Sequence, residues 1–244
     1  MSIKENSQEI KDVILELHNA QKEQIMRKQL IFLGPPACGK GTQTSKLAQY
    51  MGLPHIDTGS LLRAEIKAQT PNGIVAKSFI DEGHLVPVEL VASIIRERLL
   101  QEDCKNGYIL DGYPRSMEQA QMLDIMNNEI NGTEDVDFRA IYFDLNQDVL
   151  ISRIVNRRSC SQCGEIYNIK FHPPKKEGVC DKCDGTLTQR KDDTEEIAKE
   201  RFVTYFKETA PLIEFYKNKG IFNQMNALYS VEDNYNLIKS ILNK

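Results

Sequence analysis

The residues Gly34-Pro35-Pro36-Ala37-Cys38-Gly39-Lys40-Gly41-Thr42 carry the spacing Gly-x4-Gly-Lys of a phosphate-binding loop. They follow the apolar run Leu30-Ile31-Phe32-Leu33 and precede a helical pattern over 44–51. A loop poor in side chains aims backbone N–H groups inward, and the helix behind it adds the positive end of its dipole. Lys40 supplies a point charge for the terminal phosphates of a nucleotide.

A second constellation is Cys160-x2-Cys163, followed after sixteen residues by Cys180-x2-Cys183. Each pair can sit in a tight turn and present two thiolates to one metal. Four thiolates suit tetrahedral zinc with no open position, hence a structural site. Iron, a redox disulfide pair and free thiols are the alternatives. The surrounding stretch 159–190 is rich in Cys, Pro, Gly and Lys and lacks helical periodicity, which predicts a small inserted domain. So short an insertion has little core of its own, so a metal there would do folding work. Cys38, inside the phosphate loop, is expected to be sensitive to alkylation, and Cys104 is expected to be incidental.

Arginines form the third group. Arg63, Arg115, Arg157, Arg190 and Arg201 stand just after strands or in stretches punctuated by Gly and Pro. Arg115, in Asp111-Gly112-Tyr113-Pro114-Arg115, follows an apolar strand, where ligands of open α/β sheets bind. Asp111 at that strand's end is placed to hold Mg²⁺ through water. Phosphoryl transfer needs positioning and charge neutralisation above all. A phosphate acceptor is already nucleophilic, so Lys40, several arginines and Mg²⁺ without a catalytic His favour a nucleotide-to-nucleotide kinase.

Strands at 53–57, 107–112, 139–145 and 220–225 join the one before the loop. Helices are read at 76–83, 87–98, 147–158, 192–216 and 231–242, with Thr58 as the cap of another. Strands alternating with helices imply a parallel sheet covered on both faces. Ile10, Val13, Ile14 and Leu17 mark an amphipathic helix within 1–28. The 244 residues hold 31 Lys and Arg against 35 Asp and Glu, a net charge of −4 that argues against a general nucleic-acid binder. No apolar run approaches the ~20 residues that span a bilayer, and neither a secretory signal nor a myristoylation pattern is expected.

From Gln29 onward the chain resembles the long-type adenylate kinases. The likeness rests on residues 34–43, Asp57-Thr58-Gly59-Ser60-Leu61-Leu62-Arg63, the 111–115 motif with Gln119, residues 153–158, Arg190-Lys191-Asp192-Asp193, and Arg201. The resemblance implies an α/β P-loop fold of three layers around a five-stranded parallel sheet. The core would comprise 29–57, 87–156 and 194–244, preceded by an extension over 1–28. An AMP-binding helical insertion would span 58–86 and a zinc-bearing lid 157–193. It implies Mg-dependent transfer from ATP to AMP. Gly34, Pro35, Ala37, Cys38, Gly39, Lys40, Gly41, Thr42, Arg153, Arg157 and Tyr167 would contact ATP. Thr58, Gly59, Leu62, Arg63, Ile80, His84, Val86, Gly112, Arg115 and Gln119 would contact AMP, together with Arg190 and Arg201. Lys40, Arg115, Arg157, Arg190 and Arg201 would carry catalysis. A cytoplasmic monomer is expected, with the mitochondrial intermembrane space as another location and no nucleic-acid or membrane partner. A GTP:AMP phosphotransferase and a zinc-ribbon nucleic-acid-binding NTPase are the rival readings. Three positions depart from the usual pattern: Gly41 at the customary Ser/Thr place, Ser60 where many relatives have Asp, and Ala37, whose Cβ is expected to require negative φ.

Overall fold

The structure, a computed structural model, describes residues 26–145, 147–227 and 230–243. The helix read at residues 10–17 lies outside them. Strand β1 (Arg27–Leu33) leads into helix α1 (Lys40–Met51), and β2 (His55–Asp57) into α2 (Thr58–Ala68) and α3 (Pro71–Glu82). Helix α4 (Val88–Leu99) precedes β3 (Gly107–Asp111), and α5 (Met117–Asn131) precedes β4 (Val136–Asp144). Helix α6 (Gln147–Val155) enters an inserted sheet of β5 (Arg157–Cys160), β6 (Ile166–Asn168) and β7 (Leu187–Thr188). The chain closes with α7 (Glu195–Thr204), a π-turn (Tyr205–Thr209), α8 (Leu212–Asn218), β8 (Phe222–Asn226) and α9 (Val231–Leu242).

The main sheet is parallel throughout, in the order β2-β3-β1-β4-β8. Its faces follow from the two-residue period of a strand. Ile31, Leu33, Tyr108 and Leu110 face a core completed by α2, α4, α5 and α8. Leu30, Phe32, Ile109, Ile141 and Phe143 face the other core, built on α1, α6, α7 and α9. That explains an apolar run with no alternation: both faces of β1 are buried. The carboxyl ends of β1, β2 and β3, at Leu33, Asp57 and Asp111, share one edge of the sheet. It is the edge at which such sheets bind ligands.

Several boundaries differ from the sequence reading. β1 starts at Arg27, because Arg27 and Lys28 pair with Val136 and Gly107. Asp57, not Thr58, caps α2, its carboxylate accepting from the Gly59 N–H. α3 begins at Pro71 rather than 76, with the Thr70 hydroxyl accepting from the Gly73 N–H and Pro at the first helical position. α6 stops at Val155 because Arg157 and Arg158 pair with Asn168 and Tyr167 across the inserted sheet. The expected helix over 192–216 is three pieces. Thr194 caps the first, the π-turn interrupts it, and Pro211, without an N–H to donate, separates the last. α5 went unread although Ser116-x-x-Gln119 has capping-box spacing; the Ser116 hydroxyl accepts from the Gln119 N–H at 3.2 Å.

Gly73 is where α3 crosses the end of α2. A Cβ there would stand 2.2 Å from the Glu65 carbonyl oxygen, a backbone atom that cannot turn aside. Gly73→Ala is expected to cost about 1–3 kcal/mol by overpacking. Thermal or urea unfolding checks it, and an unchanged midpoint refutes the close packing of these helices.

Candidate active site

The phosphate loop leaves β1 at Gly34 and enters α1 at Gly39, which has φ 100° and places no side chain over the helix end. The first-turn N–H groups of α1 are therefore left to an anion. Lys40 folds back onto the loop, its Nζ donating to the Gly34 and Pro35 carbonyls at 2.8 and 3.0 Å and lying 3.4 Å from Cys38 Sγ. Ala37 adopts φ 59°, a correction to the expected negative value. An L-residue in the left-handed region costs roughly 1–2 kcal/mol, and here the methyl group packs against the core behind the loop. Cys38 is buried, which sets it apart from a readily alkylated surface thiol.

Asp111 lies at the end of β3, buried, with Oδ2 accepting from Thr44 Oγ1 at 3.2 Å and lying 3.4 Å from His55 Nε2. A Cβ on Gly41 would come within 3.4 Å of the same oxygen. Among the described residues no Lys or Arg forms an ion pair with Asp111, so its charge is available to a hard cation. Asp57 is the counterpart at the end of β2. Burial opposes its ionisation, but Arg63 and a hydrogen bond from Ser60 outweigh burial and hold its pKa below the usual carboxylate range. Ser60 is thus tied to Asp57 and Arg63.

The arginines gather over this edge. Arg115 is pinned by its Nε, which donates to the Gly112 carbonyl at 2.8 Å. Gly112 has φ 76°, which favours glycine, and a Cβ there would press on the Arg115 guanidinium at 2.7 Å. Arg157 pairs with the fully buried Asp193, and Arg201 reaches Asp192 at 3.0 Å and Asp193 at 3.6 Å. Arg190 donates to Ser159 Oγ at 3.0 Å. Burial and the neighbouring Arg157 push both Arg190 and Arg201 down to about 10, and burial also lowers Arg115. All three stay charged at neutral pH, in positions where a cation is costly unless an anion answers it.

One cavity of about 720 Å³ gathers these groups. Gly34, Ala37, Cys38, Gly39, Lys40, Gly41, Thr42, Arg153, Arg157 and Tyr167 line it, as do Thr58, Gly59, Leu62, Arg63, Ile80, His84, Val86, Asp111, Gly112, Arg115, Gln119, Arg190 and Arg201. Pro35 is not in its wall. Gln119 uses its Oε1 to accept from the Arg115 N–H at 2.8 Å, which leaves its amide nitrogen as the group to offer a ligand. The Tyr167 hydroxyl accepts from the Asp181 N–H at 2.8 Å and lies 3.5 Å from Cys180 Sγ, so its tip belongs to the cysteine cluster. Asp57, Gln43 and Thr209 also line the cavity and were not read from the sequence. Asp57 and Gln43 belong to motifs already singled out, at 57–63 and 34–43; for Thr209 no local signal distinguishes it.

The four cysteines close on one point, their Sγ atoms lying within 4.8 Å of one another. Cys160 and Cys183 are 3.5 Å apart, and Cys163 and Cys180 3.6 Å. The two knuckles repeat the same backbone: Gly164 N–H donates to Cys160 O and Asp184 N–H to Cys180 O, with Gly164 and Asp184 both at positive φ. The Cys163 and Gln162 amides donate toward Cys160 Sγ and lower its pKa, favouring the thiolate a metal needs.

Comparison with known proteins comes to the same point. A family model described as adenylate kinase matches residues 32–221. A protein named adenylate kinase from Clostridium botulinum (strain 657 / Type Ba4) is 45% identical over 216 residues, 88% of this chain and 99% of the relative. One so named from Thermodesulfovibrio yellowstonii is also 45% identical over 216 residues, with the same coverage. Another from Geobacillus sp. (strain WCH70) is 43% identical over 213 residues, 87% of this chain and 97% of the relative. These matches favour neither the GTP:AMP phosphotransferase nor the nucleic-acid-binding NTPase.

Ala37→Gly is expected to release the left-handed strain while losing a methyl contact and adding freedom to the unfolded chain. The balance is a gain of up to about 1 kcal/mol, read as a higher melting temperature. A lower one shows that the methyl contact outweighs the strain.

Proposed function

The chain belongs to the adenylate kinase family and is a nucleoside monophosphate kinase moving a phosphoryl group between ATP and AMP; from that premise we propose which residues perform the reaction and which metals assist it. The observation that carries the assignment is the convergence of Lys40, Arg63, Arg115, Arg153, Arg157, Arg190 and Arg201 on one cavity. Two nucleotides would bring to it the negative charge that answers these half-buried cations.

In the proposed arrangement the ATP phosphates occupy the loop. Gly34, Ala37, Cys38, Gly39, Gly41 and Thr42 offer backbone or hydroxyl groups, while Pro35 contributes through its contact with Lys40. Lys40 exchanges its carbonyl partners for phosphate oxygens. Arg153 and Tyr167 flank the donor. Arg157, Arg190 and Arg201 neutralise the charge of the transferring group. Arg115 and Arg63 hold the AMP phosphate; Thr58, Gly59, Leu62, Ile80, His84, Val86, Gly112 and Gln119 enclose the rest of AMP. The AMP phosphate attacks without a general base, so the protein's task is to align the two nucleotides and keep water out. Segments 58–86 and 157–193 are proposed to move as AMP-binding and lid parts about the core, which removes water from the reacting phosphates.

Asp111 fits a hard cation, being a carboxylate at the cavity wall with no Lys or Arg ion-pair partner among the described residues and with His55 Nε2 3.4 Å from its Oδ2. It would hold Mg²⁺ through water, and the ion would draw charge from the phosphates. In the inserted sheet, Cys160, Cys163, Cys180 and Cys183 are proposed to hold zinc. A tetrahedron with Zn–S about 2.3 Å has sulfurs about 3.8 Å apart, near the spacing of these thiols. A cytoplasmic monomer remains our proposal for the protein's state; no described helix is long and apolar enough to cross a membrane.

A coupled assay across nucleoside triphosphate donors and monophosphate acceptors tests the function. ADP is expected only when AMP is present, with ATP the preferred donor; GTP preference or AMP-independent hydrolysis contradicts it. Lys40→Ala and Arg115→Ala are each expected to lose at least about 100-fold in kcat/KM, and a wild-type rate refutes that residue's role. Chelation with a strong zinc ligand is expected to remove hydrogen-exchange protection from 157–193 first, at a lower melting temperature, because its apolar core among the described residues is only Cys160, Tyr167, Cys180 and Leu187. Unchanged protection and stability after metal removal sinks the structural role.

A further inference from the structure

The helix that carries Arg201 does not run on evenly toward α8. At Tyr205–Thr209 it widens to a π-turn, with the Ala210 N–H donating to the Tyr205 carbonyl five residues back at 2.9 Å. Single π-turns inside α-helices recur at functional sites. Residues five apart on a regular α-helix point about 140° away from one another. The wider turn brings them nearer to one side, and three side chains along it use that. Thr204 Oγ1 donates to the Gly83 carbonyl at 3.4 Å, where α3 ends. The Tyr205 hydroxyl donates to that of Tyr142 on β4 at 3.2 Å. Thr209 Oγ1 donates to the carbonyl of Arg115 at 2.7 Å.

The Thr209 bond is the consequential one. Thr209 is buried and lines the same cavity as Arg115. Residue 115 is therefore gripped at three atoms. Its N–H goes to Gln119 Oε1 at 2.8 Å, its carbonyl accepts from Thr209, and its Nε goes to the Gly112 carbonyl. The Gln119 and Gly112 bonds are local, within four residues of Arg115. Thr209 is 94 residues away and rests on a different helix. It alone of the three registers the Arg115 loop against the helix that bears Arg201. We propose that Thr209 is a positioning residue for Arg115, and that the π-turn exists to place its hydroxyl, so that the acceptor-phosphate arginine and the Arg201 helix are held in one frame. This rests on the reading of Arg115 as the AMP-phosphate ligand.

The test uses the full chain, with Thr209→Val removing the hydroxyl at constant shape and Thr209→Ser restoring it. Equilibrium titration of AMP, without donor, is expected to show about five- to tenfold weaker binding for Thr209→Val, the worth of one buried hydrogen bond. ATP binding is expected unchanged. Steady-state KM for AMP should rise by the same factor with KM for ATP constant, and Thr209→Ser should recover most of the AMP affinity. Wild-type AMP binding by Thr209→Val overturns the proposal. So does a parallel loss of AMP and ATP binding with a lowered melting temperature, which marks a merely structural role. Arg115→Ala, measured alongside, separates the two layers. AMP binding lost there but intact in Thr209→Val overturns only the part given to Thr209; AMP binding intact in Arg115→Ala overturns the assignment beneath it.

Discussion

The site depends on positive charge that the protein itself does not balance. Arg115, Arg190 and Arg201 are buried enough for their pKa values to fall, and Arg157 and Arg201 share Asp193 between them. Charges that close repel one another, and the low polarity around them strengthens the repulsion. In the proposed arrangement a polyphosphate would relieve it, so recognition and catalysis would draw on the same electrostatic deficit. The acids present do not abolish it. Asp57 is occupied with Arg63, and Asp192 and Asp193 orient Arg157 and Arg201 more than they neutralise the whole cluster.

A deficit of this kind survives only on a frame stiff enough to hold it. The parallel sheet supplies that frame. Its β1 residues are buried on both faces, each face packed against helices from distant parts of the chain. The strand ends then deliver Gly34, Asp57 and Asp111 to one edge, and Gly39 and Gly112 take backbone conformations that open the edge to a ligand. Glycine suits position 112, where φ is positive and a Cβ would press on the Arg115 guanidinium.

The inserted sheet works on another principle. Its core has four buried residues, two of them cysteines, and its strands are two to four residues long. Such a unit cannot gain enough from apolar burial to order itself. Its two matching knuckles set four thiols around one point instead, and the metal proposed there would tie Arg157 and Arg190, at the two borders of the insertion, to a defined shape.

The strands of the main sheet, the phosphate loop, the paired cysteine knuckles and the arginine positions were legible in the chain because each is a local pattern, whereas α5 and the strands β5 to β7 were not. Gly-x4-Gly-Lys, Cys-x2-Cys and an apolar run state their chemistry within ten residues. Tertiary structure decided what no local pattern encodes. It ended α6 at Val155 because Arg157 and Arg158 found partners in β6, and it broke the helix after Thr204 with a π-turn. It accepted Ala37 at φ 59° by packing its methyl group against the core. It also brought Thr209 to the carbonyl of Arg115, across 94 residues of sequence. Those outcomes rest on which distant surfaces meet. The energy of such meetings outweighs the small local preferences that a sequence displays.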